Sequence, residues 1–240
     1  MNIAVIGYGK MGKMIEQTAV QRGHRIGLII DLDNASDMVP EKLKSQDVAI
    51  EFTTPATAEK NISVCFDANI PVVSGTTGWH NRLEPIKQRC LEENQSFVYA
   101  SNFSPGVNIL FALNSRLAEI MNNYPIFTVN MKEIHHTQKL DAPSGTAVTL
   151  ANGIINNHDK YNNWHLTGKE QTGSDSIPIH AIREGMVTGT HEITYDSEFD
   201  SIILRHAAKN RNGFALGALI AAEFITGKKG FYTMQDVLGL

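Results

Sequence analysis

In the first hundred residues, short apolar runs alternate with stretches whose apolar positions recur every three to four residues. Residues 2–6 form such a run, residues 10–22 carry helical spacing, and residues 25–30 form a second run that stops at Asp31. After a polar connection over 32–46, the alternation resumes. Strands are predicted over 47–53, 71–74 and 96–100, with helices beginning near Pro55 and spanning 79–93. Strands that alternate with helices build a parallel, doubly wound sheet covered on both faces.

The pattern then changes. A long helix is predicted over 105–123, with Val107, Leu110, Phe111, Asn114, Leu117, Ala118 and Met121 along one stripe, followed by a period-two run over 126–134. Ala147, Leu150, Ala151 and Ile154 recur at i, i+3, i+4 and i+7, which predicts a helix starting near Ser144. A polar loop is read over 156–176; its Trp164 and His165 are expected to make contacts and not to catalyse. Strand-like runs at 177–182, 189–195 and 201–207 follow with no helix between them, so a mostly antiparallel sheet is expected. The last apolar helix, 212–226, needs neighbours on two sides, and the first domain is the expected place for it. The predicted fold class is therefore α/β: a Rossmann-type N-terminal domain over 1–104, joined by 213–240, and a second α+β domain over 105–212 for substrate binding and oligomerisation.

Chemistry enters first at the turn after the opening strand, where Gly7-Tyr8-Gly9-Lys10-Met11-Gly12 reads G-x-G-x-x-G. Such glycines allow a tight turn and let a pyrophosphate approach a helix N-terminus, and an acid about twenty residues on binds ribose hydroxyls. Asp31 is that acid. It repels a 2′-phosphate, which favours NADH, while Lys10 offsets that charge and keeps NADPH open. The loops at two later strand ends, Gly75-Thr76-Thr77-Gly78 and Ser101-Asn102-Phe103-Ser104, are candidates for contacts to the nicotinamide half.

The densest chemistry lies at residues 133–147, Glu-Ile-His-His-Thr-Gln-Lys-Leu-Asp-Ala-Pro-Ser-Gly-Thr-Ala. Its histidines fall at a strand end. Ser144 is the natural N-cap of the next helix. The first N–H groups of that helix, those of Gly145 and Thr146 included, carry the positive end of the dipole. A proton donor beside a bare helix N-terminus describes a pocket for a small carboxylate. Adjacent His135 and His136 invite a metal reading, but a strand points them to opposite sides and no further ligand follows at zinc spacing, so no metal is expected.

Composition narrows the setting. The chain has 240 residues, 42% hydrophobic and 19% charged, with a formal net charge of -4. That balance argues against a general nucleic-acid binder. The opening runs straight into a strand, and the most apolar late segment, 213–227, is too short to span a bilayer, so a cytoplasmic protein with no membrane partner is expected. Cys65 and Cys90 belong to no Cys-x-x-Cys pair and read as reduced, structural residues.

Together with the glycine loop, the segment from Glu133 to Ala147 closely resembles the 4-hydroxy-tetrahydrodipicolinate reductase family, also called dihydrodipicolinate reductase, and the resemblance runs end to end in element order and length. It implies reduction of the cyclic product of aspartate semialdehyde and pyruvate with NADH or NADPH, on the way to diaminopimelate and lysine. It also implies a homotetramer whose chain ends return to the cofactor domain. Carried over residue by residue, it makes His135 the catalytic proton donor or acceptor and Lys139 a second donor. His136, Gly145 and Thr146 become contacts to a small dicarboxylate heterocycle. Cofactor contacts map to Gly7–Gly12, Asp31, Gly75, Thr76, Thr77, Ala100, Ser101, Asn102 and Phe103. The glycine loop departs from the family, many of whose members have an extra residue there and an Arg in place of Lys10. Two rivals stand beside this reading: a dehydrogenase acting on an amino-acid semialdehyde, and a non-catalytic dinucleotide sensor. The first of these, in its acylating form, lacks a loop cysteine, and the second has no use for His-His-x-x-Lys.

Overall fold

A computed structural model describes residues 1–168 and 173–240. In chain order the elements are β1 (Asn2–Ile6), α1 (Lys10–Gln21), β2 (Arg25–Ile30), α2 (Pro40–Leu43), β3 (Val48–Glu51), α3 (Ala58–Asp67), β4 (Val72–Ser74), α4 (Leu83–Glu92) and β5 (Ser96–Tyr99). There follow α5 (Pro105–Met121), β6 (Thr128–His135), α6 (Gly145–Ile155), β7 (Asn163–Leu166), β8 (Ser176–Arg183), β9 (Thr190–Asp196), β10 (Ser201–Ala207), α7 (Asn212–Ile225), β11 (Gly230–Tyr232) and α8 (Met234–Leu238). Short 3₁₀ turns occupy Leu32–Asp37 and His80–Arg82. The chain forms two compact units, Met1–Pro105 with Asn212–Leu240, and Gly106–Arg211.

The first unit is built on a six-stranded sheet of order β11-β5-β4-β3-β1-β2, parallel at every pairing. Because side chains alternate across a strand, a sheet covered on both faces needs apolar residues at every position of its central strands. Ile3, Val5, Val48, Ile50, Val73 and Val98 pack to one side, with α1 and α7. Ala4, Ile6, Ala49, Val72 and Phe97 pack to the other, with residues of α3 and α4. Helix α7 presents Ala215, Ala218, Ala221 and Ala222 to the first of these faces, so its backbone can lie close. A Cβ on Gly217 would stand 1.7 Å from the Phe103 carbonyl oxygen. The region predicted as a helix over 79–93 begins as the 3₁₀ turn and becomes α4 only at Leu83. The predicted polar connection 32–46 contains α2. Strand β11, paired to β5, is too short for its period to show in the sequence.

The second unit is built on a five-stranded sheet of order β10-β9-β6-β8-β7. It is mixed: β6, β9 and β10 are antiparallel neighbours, whereas β8 runs parallel to both β6 and β7. The expectation of a mostly antiparallel sheet is met only on the β6-β9-β10 side. The reason lies in the connection, since α6 returns the chain across the sheet between β6 and β8, and such a crossover gives parallel strands. Strand β9 then pairs with β6 and not with its sequence neighbour β8. The stretch predicted as a loop over 156–176 contains strand β7, with Trp164 and His165 in it; its residues 169–172 lie outside the described residues. The core of this unit gathers Leu110, Ala118 and Met121 of α5, Leu150, Ala151 and Ile154 of α6, and Val129, Met131, Ile177, Ile179, Ile193 and Tyr195 of the sheet.

Candidate active site

At the carboxyl edge of the parallel sheet the glycines divide their work. Gly7 has a φ of +90°, and a Cβ there would stand 2.1 Å from the Phe52 carbonyl oxygen, so only glycine makes this turn. A Cβ on Gly12 would meet the Gly7 carbonyl oxygen at 2.2 Å, which explains a glycine where α1 crosses β1. Gly9 differs, because nothing lies within 4 Å of its Cβ position. It is also the N-cap of α1 and makes no side-chain cap bond, leaving the first N–H groups of that helix open to an anion. The residues present therefore fit a dinucleotide pyrophosphate.

The other cofactor candidates share that edge. Tyr8 and Met11 pack on the β-sheet core, with the Tyr8 hydroxyl donating to Glu16, and Lys10 is exposed. Asp31 follows β2 directly and caps the 3₁₀ turn after it. Beyond β4, Gly75 accommodates the Phe52 ring, whose carbons would lie 2.2 Å from a Cβ. Thr76 is buried, accepts the Thr53 N–H at 2.7 Å and donates to Glu51 Oε1 at 2.9 Å, whereas Thr77 is exposed. After β5, Ala100 is half-buried, Ser101 exposed, Asn102 Oδ1 accepts the Ser104 N–H at 2.9 Å, and Phe103 is buried 5.7 Å from the Phe52 ring.

In the second unit the core face of the sheet turns polar at one end. Along β6 the buried phase reads Val129, Met131, Glu133, His135; along β9 it reads Tyr195, Ile193, His191. Register then sets these groups side by side: Glu133 is opposite His191, His191 opposite His206, and His135 opposite Arg183. Glu133 is fully buried. Its Oε2 accepts the Ser144 N–H at 3.0 Å, and its Oε1 accepts Arg183 Nη2 at 3.0 Å. His135 Nδ1 lies 3.6 Å from Glu133 Oε2 and is buried with no hydrogen-bond partner. The His191 ring meets the His135 ring edge-on, with centroids 5.1 Å apart.

Helix α6 begins as its sequence dictates, with Ser144 Oγ accepting the Ala147 N–H. Gly145, at the first helical position, is exposed and has nothing within 4 Å of its Cβ position. Thr146 follows half-buried. His136, the residue after β6, is half-buried. Lys139 Nζ donates to both oxygens of Asp141, at 2.7 and 2.8 Å. Arg183 binds the same loop, donating from Nε to the Lys139 carbonyl at 3.3 Å and from Nη2 to that of Asp141.

Charge follows from these contacts. Burial alone would push the Glu133 carboxyl up, but hydrogen bonds from Ser144 and Arg183, with His135 nearby, hold it below its ordinary value, so it is ionised. Burial pushes the His135 imidazole down; Glu133 and Asp141 oppose this, and Lys139 and Arg183 add to it. Burial, then His135, pushes His191 down to about 4. The Asp141 carboxyl is held low, chiefly by Lys139.

Three of these groups, Glu133, Arg183 and His191, are absent from the candidates drawn from the sequence. The available signal was phase, since each is a polar residue on the apolar phase of a strand. Glu133, His135 and His191 place one potential ligand atom each within 4.8 Å of one another. Both Glu133 oxygens are already engaged by Ser144 and Arg183, and Arg183 and Lys139 bring two positive charges to the cluster. Those charges work against a divalent ion at this cluster. Cys65 and Cys90 are buried free thiols whose pKa values burial pushes up, which makes them poor nucleophiles.

A helix N-terminus open to an anion on one unit, and on the other a buried histidine next to an ionised carboxylate, are compatible with a nicotinamide-dependent oxidoreductase. That is the class to which this chain belongs. Residues 1–103 match the family model for the dihydrodipicolinate reductase N-terminus, and residues 106–238 match that for its C-terminus. The chain is 48% identical over 239 residues to the 4-hydroxy-tetrahydrodipicolinate reductase of Christiangramia forsetii, covering 99% of this chain and 98% of that one. It is 34% identical to the reductase of the same name from Thermosipho africanus, covering 99% and 98%. Among solved structures, a dipicolinate-bound dihydrodipicolinate reductase from Paenisporosarcina sp. TG-14 shares the fold, with a TM-score of 0.74 at 24% identity and 98% of each chain covered. The chain belongs to the dihydrodipicolinate reductase family, NAD(P)H-dependent enzymes of diaminopimelate and lysine biosynthesis. No described helix is long and apolar enough to cross a membrane.

Proposed function

We propose that this chain reduces 4-hydroxy-tetrahydrodipicolinate to tetrahydrodipicolinate, with His135 as the proton donor. The observation that carries this reading is the His135 imidazole, buried at the end of β6 beside the ionised Glu133. Bound NADH or NADPH supplies the hydride. The 4-hydroxyl leaves as water with a proton from the neighbouring carbon, which gives a carbon–carbon double bond conjugated to the imine. The carbon that bore the hydroxyl then accepts the hydride and His135 protonates its neighbour, a task suited to a group that donates and is recharged near neutrality. The N–H groups of Gly145 and Thr146 hold one substrate carboxylate at the N-terminus of α6. Lys139 holds negative charge beside His135, exchanging Asp141 for a substrate carboxylate, and His136 contacts the substrate.

On the first unit, Gly7 to Gly12 hold the pyrophosphate, Asp31 the ribose hydroxyls, and the loops at Gly75–Thr77 and Ala100–Phe103 the nicotinamide half. Asp31 favours NADH, and the exposed Lys10 leaves NADPH usable. We assign a cytoplasmic homotetramer, assembled through the second unit, whose outer sheet face exposes Ile182 and Ile203. A sedimentation experiment giving a monomer at working concentration would remove that assignment.

The activity test supplies the purified protein with freshly condensed aspartate semialdehyde and pyruvate and follows NADH absorbance. Oxidation is expected. Firm NADH binding with no oxidation overturns the reading. His135→Ala is expected to lower turnover about 10²- to 10⁴-fold while NADH affinity stays near wild type; equal loss of both makes the residue structural.

A further inference from the structure

We propose that Glu133 is the positioning residue of this site: its one buried carboxylate joins the strand end, the loop 136–143 and the first turn of α6, and supplies the negative charge against which His135 holds its proton. The inference rests on His135 being the donor.

The joining role follows from who donates to the carboxylate. The Ser144 N–H sets the N-cap of α6, and so the position of the Gly145 and Thr146 amides. Arg183 Nη2 reaches Glu133 Oε1 at 3.0 Å, while the same guanidinium binds the carbonyls of Lys139 and Asp141. Position along the strand does the rest, because His135 is two residues on and shares its face. Every group proposed to touch substrate in this unit, apart from His136, is thus tied to this carboxylate or to a residue bonded to it.

The charge role follows from what surrounds His135. Its own strand contributes Glu133; the loop contributes Lys139, paired with Asp141; β8 contributes Arg183; β9 contributes His191, with His206 beyond it on β10. The Nδ1 atoms of His135, His191 and His206 are all buried without a hydrogen-bond partner. As the donor gives up and regains its proton, the Glu133 carboxylate stands 3.6 Å from Nδ1. The two cations oppose the imidazolium, and Asp141 is shared with Lys139. A neutral acceptor at 133 preserves the joining role and loses the charge role, which separates the two by experiment.

Glu133→Gln keeps the shape and still accepts the Ser144 N–H. Since His135 must be protonated to act, kcat/KM falls as pH rises through its pKa, and removing the facing charge moves that fall to lower pH. A shift of about one unit or more is expected, with turnover at neutral pH down roughly 10-fold or more. NADH affinity stays at the wild-type value. Glu133→Asp, which keeps the charge, is expected to restore the position of the fall even where kcat stays low. A Glu133→Gln profile superimposable on wild type overturns the proposal whatever its kcat. If that variant does not fold, Arg183→Gln removes a facing cation and is expected to move the fall to higher pH; no movement overturns the proposal. A His135→Ala enzyme with full activity removes the reading beneath it instead, so the two failures are distinguishable.

Discussion

Each unit of this protein has a fully buried glutamate at or near the carboxyl end of a central strand, and the two are satisfied in opposite ways. Glu51, ending β3, is surrounded by neutral donors: Ser74 Oγ at 2.6 Å, Thr76 Oγ1 at 2.9 Å, the Thr53 N–H at 3.1 Å and the Thr53 hydroxyl. Glu133, near the end of β6, faces Arg183, a helix N-terminal N–H and an imidazole. The first arrangement stitches together the loops at the edge proposed to hold the cofactor, with no titrating partner among its donors. The second does the same stitching and holds a charge next to the imidazole proposed as the proton donor. A buried carboxylate thus serves as a rivet or as an electrostatic control, and its partners decide which.

The comparison can be broken most forcefully by Glu133→Leu. It strands the Arg183 charge, and a cost of about 3–5 kcal/mol in denaturant unfolding is expected. Removing the cation as well, in Glu133→Leu with Arg183→Met, is expected to recover a large part of that; a simple sum of two losses would mean that the pair is not coupled.

His191 is expected to be next in size. Its pKa is about 4 folded against 6.5 ordinarily, so its neutral form is favoured in the native state. The sign is that of a depressed group: nothing is lost above pH 6.5, and stability falls as pH drops from there towards 4. The loss amounts to about 3 kcal/mol. His191→Phe is expected to flatten this part of the melting-temperature profile, and an unchanged slope would mean that His191 takes up its proton without penalty.

Glu51→Gln sharpens the contrast from the other side. Hydroxyl donors can turn to suit an amide, so a cost of about 1–3 kcal/mol is expected. The pH profile of kcat/KM is expected to stay in place, and a shift like that of Glu133→Gln would erase the distinction between the two residues.

The glycine loop holds an effect of similar size and the smallest one. Gly7→Ala meets the Phe52 carbonyl from a φ of +90° and is expected to lose about 1–3 kcal/mol. Gly9→Ala meets nothing, so its stability is expected within about 0.5 kcal/mol of wild type. Its effect should appear in NADH titration alone, as weaker binding. A Gly9→Ala protein that unfolds early would mean that this glycine serves the fold.

Much of the fold was legible because its signals are local. Continuous apolar runs separated by helical spacing led to the parallel sheet, and Ser144 ahead of a period-3.6 stretch led to the start of α6. Three features were not legible. Strand β7 lies in a polar segment with no alternation, β11 is three residues long, and the β6-to-β8 pairing depends on where α6 returns the chain. Sites followed the same rule. The glycine loop is one contiguous turn whose steric needs are printed in residue type, whereas Glu133, Arg183 and His191 come from three strands.

By itself, then, the sequence determined the periods, the caps, the glycine turn and the identity of the segment 133–147 with its histidine and lysine. It determined these because each depends on neighbours within a few residues. Only the tertiary structure decided that Glu133 and His191 share a row, that Arg183 closes the loop onto that row, and that His135 is buried against a carboxylate. Those facts depend on strand register, and register is set by how whole faces bury together, which no short stretch of chain contains.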